Sequence, residues 1–354
     1  MKTKPMTKFA ILALSLVLVA CAGGGSEEAG CPAIDGREIN VVATTPMIGE
    51  FVSQVGGENI NLTVLMPPEA NPHTYEPAPQ DAGTIAEADL VFYTGLLYEP
   101  AALVKLLENS ACSTDILSEV GESVFPIEFK EGGHDDHDDH DDHDDEEGHD
   151  DHDDEEGHDD EEGHDDEEGH DDHEGHNHGA YDPHFWFDPS RVAYAAEYIE
   201  SRLIEFDPEN ESSYKSSADS FVSELNDLTK QVSELISTVP SQNRKLITTH
   251  ESLGYLEAKF GLEVLSTIIP SLNSANEISP SDLAGVIDVI EDNNVKVIFI
   301  ESEAPSVYSE TIVAETGIKS VTGLYVETLK PGQSYSEFLI SNVTLITENL
   351  QDTD

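Results

Sequence analysis

Positive charge is what this sequence has least of. Only 16 lysines and arginines stand against 74 aspartates and glutamates, a formal net charge of −58 over 354 residues. No basic stretch could follow a phosphate backbone, which argues against nucleic acid as a partner. An acidic surface attracts cations instead. Cysteine is also scarce, at three residues, Cys21, Cys31 and Cys112. Beyond the first twenty residues no apolar run is long enough to span a bilayer, so a membrane-spanning protein is excluded in favour of an anchored one.

The first residues read as an address. Lys2, Lys4 and Lys8 precede the apolar run from Phe9 to Ala20, the pattern of a secretory signal peptide over residues 1–20. It ends in Leu18-Val19-Ala20-Cys21, which resembles a bacterial lipobox. That resemblance implies that Cys21 carries lipid, that residues 21–35 are a tether, and that the chain sits on the extracytoplasmic face of the membrane. Cys31 and Cys112 then lie in an oxidising compartment, where two leftover cysteines are expected to form a disulfide. With both engaged, no thiolate remains for a metal.

The length predicts two lobes. Apolar runs with β propensity alternate with helical spacing: strands at Glu38–Thr45, Asn61–Met66 and Asp89–Tyr93, helices at Met47–Val55, Pro79–Glu87 and Ala101–Glu108. The alternation argues for a parallel sheet with helices on its faces. Pro189–Phe206 reads as a helix with Asp188 at its cap. The next helical segment, about Pro208–Ser237, carries Phe221, Leu225, Leu228, Val232 and Leu235 on one stripe. It is long enough to bridge two lobes. The alternation then resumes, with strands at Lys245–Thr249, Glu263–Ile268 and Val295–Ile300 and helices at Ser252–Phe260, Ser281–Asn293, Ser309–Thr316 and Ser334–Leu350. The expected class is α/β: two Rossmann-like lobes with parallel sheets, at 36–206 and 239–354, joined by a linker helix at 207–238, with a cleft between them.

Residues 131–178 interrupt the first lobe. They hold 28 acidic residues, 12 histidines and no lysine or arginine. Such a segment has no apolar surface to bury and is expected to be a disordered loop. Its histidines, His134, His137, His140, His143, His149, His152, His158, His164, His170, His173, His176 and His178, recur every few residues among carboxylates. They form a multidentate, low-affinity chelator that would raise metal concentration near a tighter site. A solubilising acidic insert is the plainer alternative.

Three histidines lie outside that tract: His73, His184 and His250. Each follows a predicted strand or sits in a loop before a helix, where open α/β sheets build their sites. Together they could converge in the cleft. Three imidazoles plus a carboxylate or water suit zinc(II), whereas magnesium or calcium would need mostly oxygen ligands. Singly, each has a structural reading: His73 exposed in a proline-stiffened loop, His184 packed among aromatics, His250 capping a helix.

The contexts are more specific. Pro72-His73-Thr-Tyr-Glu-Pro77, Asp182-Pro-His184-Phe-Trp-Phe-Asp-Pro189 and Thr249-His250-Glu-Ser-Leu-Gly254-Tyr255 resemble, in order, the three histidine motifs of the zinc/manganese solute-binding lipoproteins of ABC importers, the ZnuA/TroA type. Ala88–Gly95 and Val297–Glu301 resemble family segments too. The resemblance runs from about Ile39 to the C-terminus, with the acidic tract as an insertion. It implies that His73, His184 and His250 are metal ligands, that the cargo is Zn(II), and that the partners are a membrane permease and its ATPase. Manganese-type members tend to carry a carboxylate where His250 stands, and zinc-type members often have a His-rich loop between the first two ligands. The fourth position departs from the family pattern. Gly323-Leu-Tyr-Val-Glu-Thr-Leu329 lacks the aspartate of many relatives, and Glu327 falls where others place a glutamate; Glu327 or water completes the set.

The expected function is therefore zinc capture and delivery by a monomer, without catalysis. The alternatives are a manganese or iron carrier, an extracellular zinc buffer or adhesin, and a zinc hydrolase. A hydrolase would need a base and a substrate pocket. No His-Glu-x-x-His is present, and Glu251 is a base by position only.

Overall fold

The computed structural model describes residues 31, 34, 36–129, 181–273, 276–303 and 307–351. Strands β1 (Ile39–Ala43), β2 (Ile60–Val64), β3 (Leu90–Tyr93) and β4 (Leu117–Glu119) form one parallel sheet in the order β2-β1-β3-β4. Helices α1 (Pro46–Gly56), α2 (Pro79–Ala86) and α3 (Ala101–Ser110) make the crossovers. Both faces of the sheet are covered, as parallel sheets require. Val41, Ala43, Leu90 and Phe92 face the main core, while Val42 and Val91 face a second one with Ile85, Leu103 and Leu107. The short edge strand β4 was not anticipated, because three residues are too few to carry a period.

Helix α4 (Pro189–Phe206) starts where Asp188 accepts from the Ser190 amide at 2.9 Å. The chain turns at Pro208–Asn210 and continues as α5 (Glu211–Ser237). The buried stripe of α5 is Tyr214, Ala218, Phe221, Leu225, Leu228, Val232 and Ile236. It ends at Ile236 rather than Leu235, because a straight helix of 3.6 residues per turn drifts off a strict seven-residue repeat. α5 packs on α1 and α4 from the first half and on α6 and α9 from the second.

The second half contains β5 (Lys245–His250), α6 (Gly254–Phe260), β6 (Glu263–Ile269), α7 (Pro280–Asp292), β7 (Val297–Glu301), α8 (Val307–Thr316), β8 (Lys319–Leu324) and α9 (Tyr335–Gln351). β5 pairs with β6 and β7 with β8, all parallel. β5 lies beside β7, where the Glu301 amide donates to Thr249 Oγ1 at 2.9 Å. The spatial order β6-β5-β7-β8 thus repeats that of the first sheet. β8 escapes sequence reading because only Val321 and Leu324 along it are buried, which is not a strand's alternation.

One apolar cluster runs through both halves, joining Phe51 and Trp186 to Tyr335 and Phe338 around the α5 stripe. A disulfide joins Cys31 to Cys112, tying the start of the described chain to the end of α3. The leader, Cys21 and residues 131–178 with their twelve histidines lie outside the described residues. Among the described residues, no helix is long and apolar enough to cross a membrane.

Leu228, 2% exposed at the centre of the α5 stripe, tests this shared core. Leu228→Ala is expected to cost about 2–5 kcal/mol, the range for truncating a buried leucine. Urea unfolding of the metal-free protein measures it, and a cost under 1 kcal/mol contradicts the packing described.

Candidate metal centre

The candidate residues are delivered by strand ends and by short turns between elements. His250 is the last residue of β5, and Glu327 follows β8 by three positions. His73 lies in a single turn, Pro72–Thr74, after β2. There Asn71 Oδ1 accepts from the His73 amide at 2.9 Å. His184 immediately precedes the turn Phe185–Phe187 that leads into α4.

The four residues meet. His73, His184, His250 and Glu327 each offer a ligand atom, and these atoms lie within 4.8 Å of one another. His73 Nε2 and His250 Nε2 are each 2.9 Å from Glu327 Oε1, and His184 Nε2 is 3.5 Å from Glu327 Oε2. The side chains of His184, His250 and Glu327 are fully buried, and that of His73 retains 4% exposure. Although close to the carboxylate, Nε2 of His184 and of His250 are not aligned for a hydrogen bond and have no hydrogen-bond partner. Buried polar atoms left in that state are costly. Their common direction fits an ion at the point they share.

The opposite ring nitrogens are fixed. His184 Nδ1 lies 2.8 Å from Asp182 Oδ1, which also accepts from the His184 amide at 2.8 Å. His250 Nδ1 is paired with Glu301 Oε2, and Glu301 Oε1 accepts from the His250 amide at 3.2 Å. A carboxylate behind an imidazole sets the tautomer, so that Nε2 presents its lone pair, and raises its basicity. Sequence reasoning had assigned no role to Asp182, Glu301 or Tyr98. A signal was available for the first two: a carboxylate two residues before His184, and one ending the most apolar strand in the chain.

The motif residues between the histidines hold this arrangement across the two halves. Trp186 Nε1 donates to the Val326 carbonyl at 2.8 Å, and Tyr335 Oη donates to the Trp186 carbonyl at 2.7 Å. Tyr255 Oη donates to the Asp182 carbonyl at 2.9 Å. Gly254 is required by close approach: a Cβ there would sit 2.7 Å from Asp182 Oδ2. Tyr98 Oη lies 3.0 Å from Glu327 Oε2. Glu303 Oε1 accepts from the Val326 and Glu327 amides at 3.2 and 3.3 Å.

The electrostatics follow from crowding carboxylates in a dry place. Burial alone would lower the His184 imidazole, but Glu327 and Asp182 outweigh it and hold it at about 9. His250 is likewise opposed by burial and raised well above its ordinary range by Glu301 and Glu327. Burial pushes Glu327 upward, and the three imidazoles overcome that and hold it well below the usual carboxylate range. Glu303 is raised to about 8 by burial, then by Glu327 and Glu301. The cluster needs positive charge, supplied either by protons on imidazole or by a cation. Two prominent surface cavities, of about 380 and 570 Å³, contain none of the four residues. The closed cluster has the scale of an ion, not of a metabolite.

Comparison with known proteins identifies the family and the fold. The family model described as "Zinc-uptake complex component A periplasmic" (ZnuA) matches residues 41–349. The "Manganese ABC transporter substrate-binding lipoprotein PsaA" of Streptococcus anginosus is 25% identical over 98% of this chain and 99% of its own length. The "High-affinity zinc uptake system protein ZnuA" of Bacillus subtilis is 27% identical over 97% of this chain and 96% of its own. Among solved structures, the periplasmic zinc binding protein TroA from Treponema pallidum superimposes with a TM-score of 0.69 at 20% identity, covering 88% of this chain and 99% of that one. Fe(III)-bound YtgA from Chlamydia trachomatis gives 0.69 at 23% identity, over 88% and 98%.

The raised imidazoles set a pH dependence. A histidine held at about 9 when folded, against an ordinary value near 6.5, stabilises the metal-free fold fully below about pH 6.5. That contribution is lost as pH rises through about 9. A cation must displace the same protons, so its affinity should rise as pH increases toward about 9. Calorimetry at pH 7 in buffers of different ionisation enthalpy should detect proton release on metal binding; release of no protons would contradict the assigned charge state.

Proposed function

Because the chain belongs to the family of periplasmic zinc-uptake complex component A proteins, the metal-binding components of ABC importers, we propose that it captures zinc(II) outside the cytoplasm and delivers it to a membrane permease driven by an ATPase. His73, His184, His250 and Glu327 are its ligands. The observation that carries this reading is the convergence of their donor atoms within 4.8 Å, with two imidazole Nε2 atoms buried and lacking any hydrogen bond. Three imidazoles and one carboxylate make the four-donor set that zinc favours. Manganese favours six donors, mostly oxygen. Histidine at position 250, where manganese-type members tend to carry a carboxylate, supports the same choice. Binding and delivery, rather than hydrolysis, suit a donor set whose side chains are buried almost completely.

Manganese is the second reading. It is favoured by relatives named for manganese, PsaA of Streptococcus anginosus and the manganese-binding lipoprotein MntA of Halalkalibacterium halodurans, and by the carboxylate in the donor set. Competition titration of zinc against manganese under anaerobic conditions decides between them.

The remaining assignments extend this reading. Cys21 carries the lipid that holds the mature protein on the extracytoplasmic face of the membrane, in line with relatives named as lipoproteins. The lobes at 36–206 and 239–354 and the linker at 207–238 act in one monomer. The twelve histidines of residues 131–178 collect zinc weakly and raise its concentration beside the tight site.

Replacing His73, His184 or His250 by alanine is expected to weaken tight zinc binding by more than the roughly 10–100-fold that loss of a supporting partner costs at metal sites. Deleting 131–178 should leave tight binding intact and lower the total zinc bound. Full-affinity binding by His250→Ala would sink the ligand assignment, and unchanged stoichiometry after the deletion would sink the collecting role. Cells lacking the protein should take up less zinc when zinc is limiting; normal uptake would leave a buffering role instead.

A further inference from the structure

We infer that Tyr98 is a positioning residue that confines Glu327 to a single metal-facing oxygen, and that this sets a four-donor site favouring zinc over manganese. The inference rests on the ligand assignment proposed above and adds a residue that determines selectivity.

The two oxygens of Glu327 have different surroundings. Oε1 lies 2.9 Å from His73 Nε2 and from His250 Nε2. Oε2 lies 3.5 Å from His184 Nε2 and 3.0 Å from Tyr98 Oη, which is also 3.0 Å from the Glu327 carbonyl. A hydroxyl has one proton, and the charged carboxylate is the stronger acceptor. The phenol therefore donates to Oε2 and engages one of its lone pairs, which weakens that oxygen as a second metal donor. A one-oxygen carboxylate with three imidazoles gives a coordination number of four, which zinc accepts. Manganese(II) prefers more oxygen donors and gains most from a second carboxylate oxygen.

Tyr98 cannot easily move away. It is 1% exposed, and its ring stands edge-on to His73, His184 and Trp186 at centroid distances of 5.3, 5.9 and 5.3 Å. The backbone that delivers it is strained. Gly95, Leu96 and Leu97 have φ of 76, 53 and 61° in succession, a conformation that costs a leucine roughly 1–3 kcal/mol and persists only when its surroundings impose it. Two carboxylates do so: Glu99 accepts from the Thr94 and Gly95 amides at 2.7 and 2.9 Å, and Glu119 from the Leu96 amide at 2.9 Å. A strained turn, clamped on both sides, ends on the one hydroxyl that meets the Glu327 carboxylate among the described residues.

Cobalt(II) is the probe, because four-coordinate cobalt absorbs visible light much more strongly than five- or six-coordinate cobalt. Spectra of the full chain are recorded for wild type, Tyr98→Phe and His250→Ala, and the last is subtracted to remove cobalt bound elsewhere. Wild type should give the intense four-coordinate bands. Tyr98→Phe keeps the ring contacts and should give weaker bands of higher coordination. Its preference for zinc over manganese should fall about tenfold, the scale of one hydrogen bond to a charged group. A higher-coordinate wild-type spectrum overturns the inference without needing a folded variant. A four-coordinate wild type matched by Tyr98→Phe, with unchanged metal preference, overturns the role of Tyr98 alone. A wild-type spectrum identical to that of His250→Ala overturns the metal site itself, and this inference with it.

Discussion

The architecture answers to one electrostatic constraint: imidazole nitrogens must point at a common spot inside a region crowded by carboxylates. Glu327 borders all three imidazoles, Asp182 backs His184, Glu301 backs His250, and Glu303 lies behind Glu327 on its amide. Unbalanced, that much buried negative charge would be strongly destabilising. Protons or a dication supply the balance, so the metal-free and loaded forms differ by an exchange of positive charges in one place. This fits the arrangement in which Nδ1 of His184 and of His250 each has a carboxylate behind it, while Nε2 of each faces Glu327 without an aligned hydrogen bond. The orientation is fixed from behind, and the front is reserved.

The fold meets this constraint by using strand ends as fixed points. β5 ends on His250, and β8 leads to Glu327 three residues later, so two of the four positions are set by parallel strand ends. The other two lie on short turns held by local bonds, Asn71 to the His73 amide and Asp182 to the His184 amide. The halves are then pinned beside the site by Trp186 to Val326, Tyr98 to Glu327 and Asn71 Nδ2 to the Glu303 carbonyl. A core shared through α5 backs these bonds. A cluster of this kind would be imprecise on mobile loops. Here the positioning comes from rigid elements, and the loops contribute only short arms.

Much of this was legible in sequence, for identifiable reasons. Buried parallel strands such as Val297–Glu301 advertise themselves by continuous apolar character, and α4 was readable to both ends because Asp188 and Pro189 mark its start and Asp207-Pro208 follows its last residue. The three histidines stood out because so few lie outside the acidic tract. β4 and β8 were not legible: one is three residues long, and the other is mostly exposed. Asp182, Glu301 and Tyr98 were missed for a different reason. In a chain with 74 acidic residues, composition hides the few carboxylates that are buried, and nothing in a local pattern says which tyrosine will reach across 229 positions to Glu327.

That last point bears on why this family's metals are hard to read from ligands alone. Three imidazoles and a carboxylate can hold zinc, manganese or iron, and the relatives and structural neighbours carry names for all three. The donor list does not separate these ions; the number of donors a rigid site permits does. A carboxylate is ambiguous in this respect, since it can offer one oxygen or two. Its surroundings bear on that choice, and here they differ: Oε1 lies against His73 and His250, and Oε2 against His184 and a buried phenol. The contacts of the two carboxylate oxygens, which only the folded structure makes visible, are where the proposed selectivity would be decided.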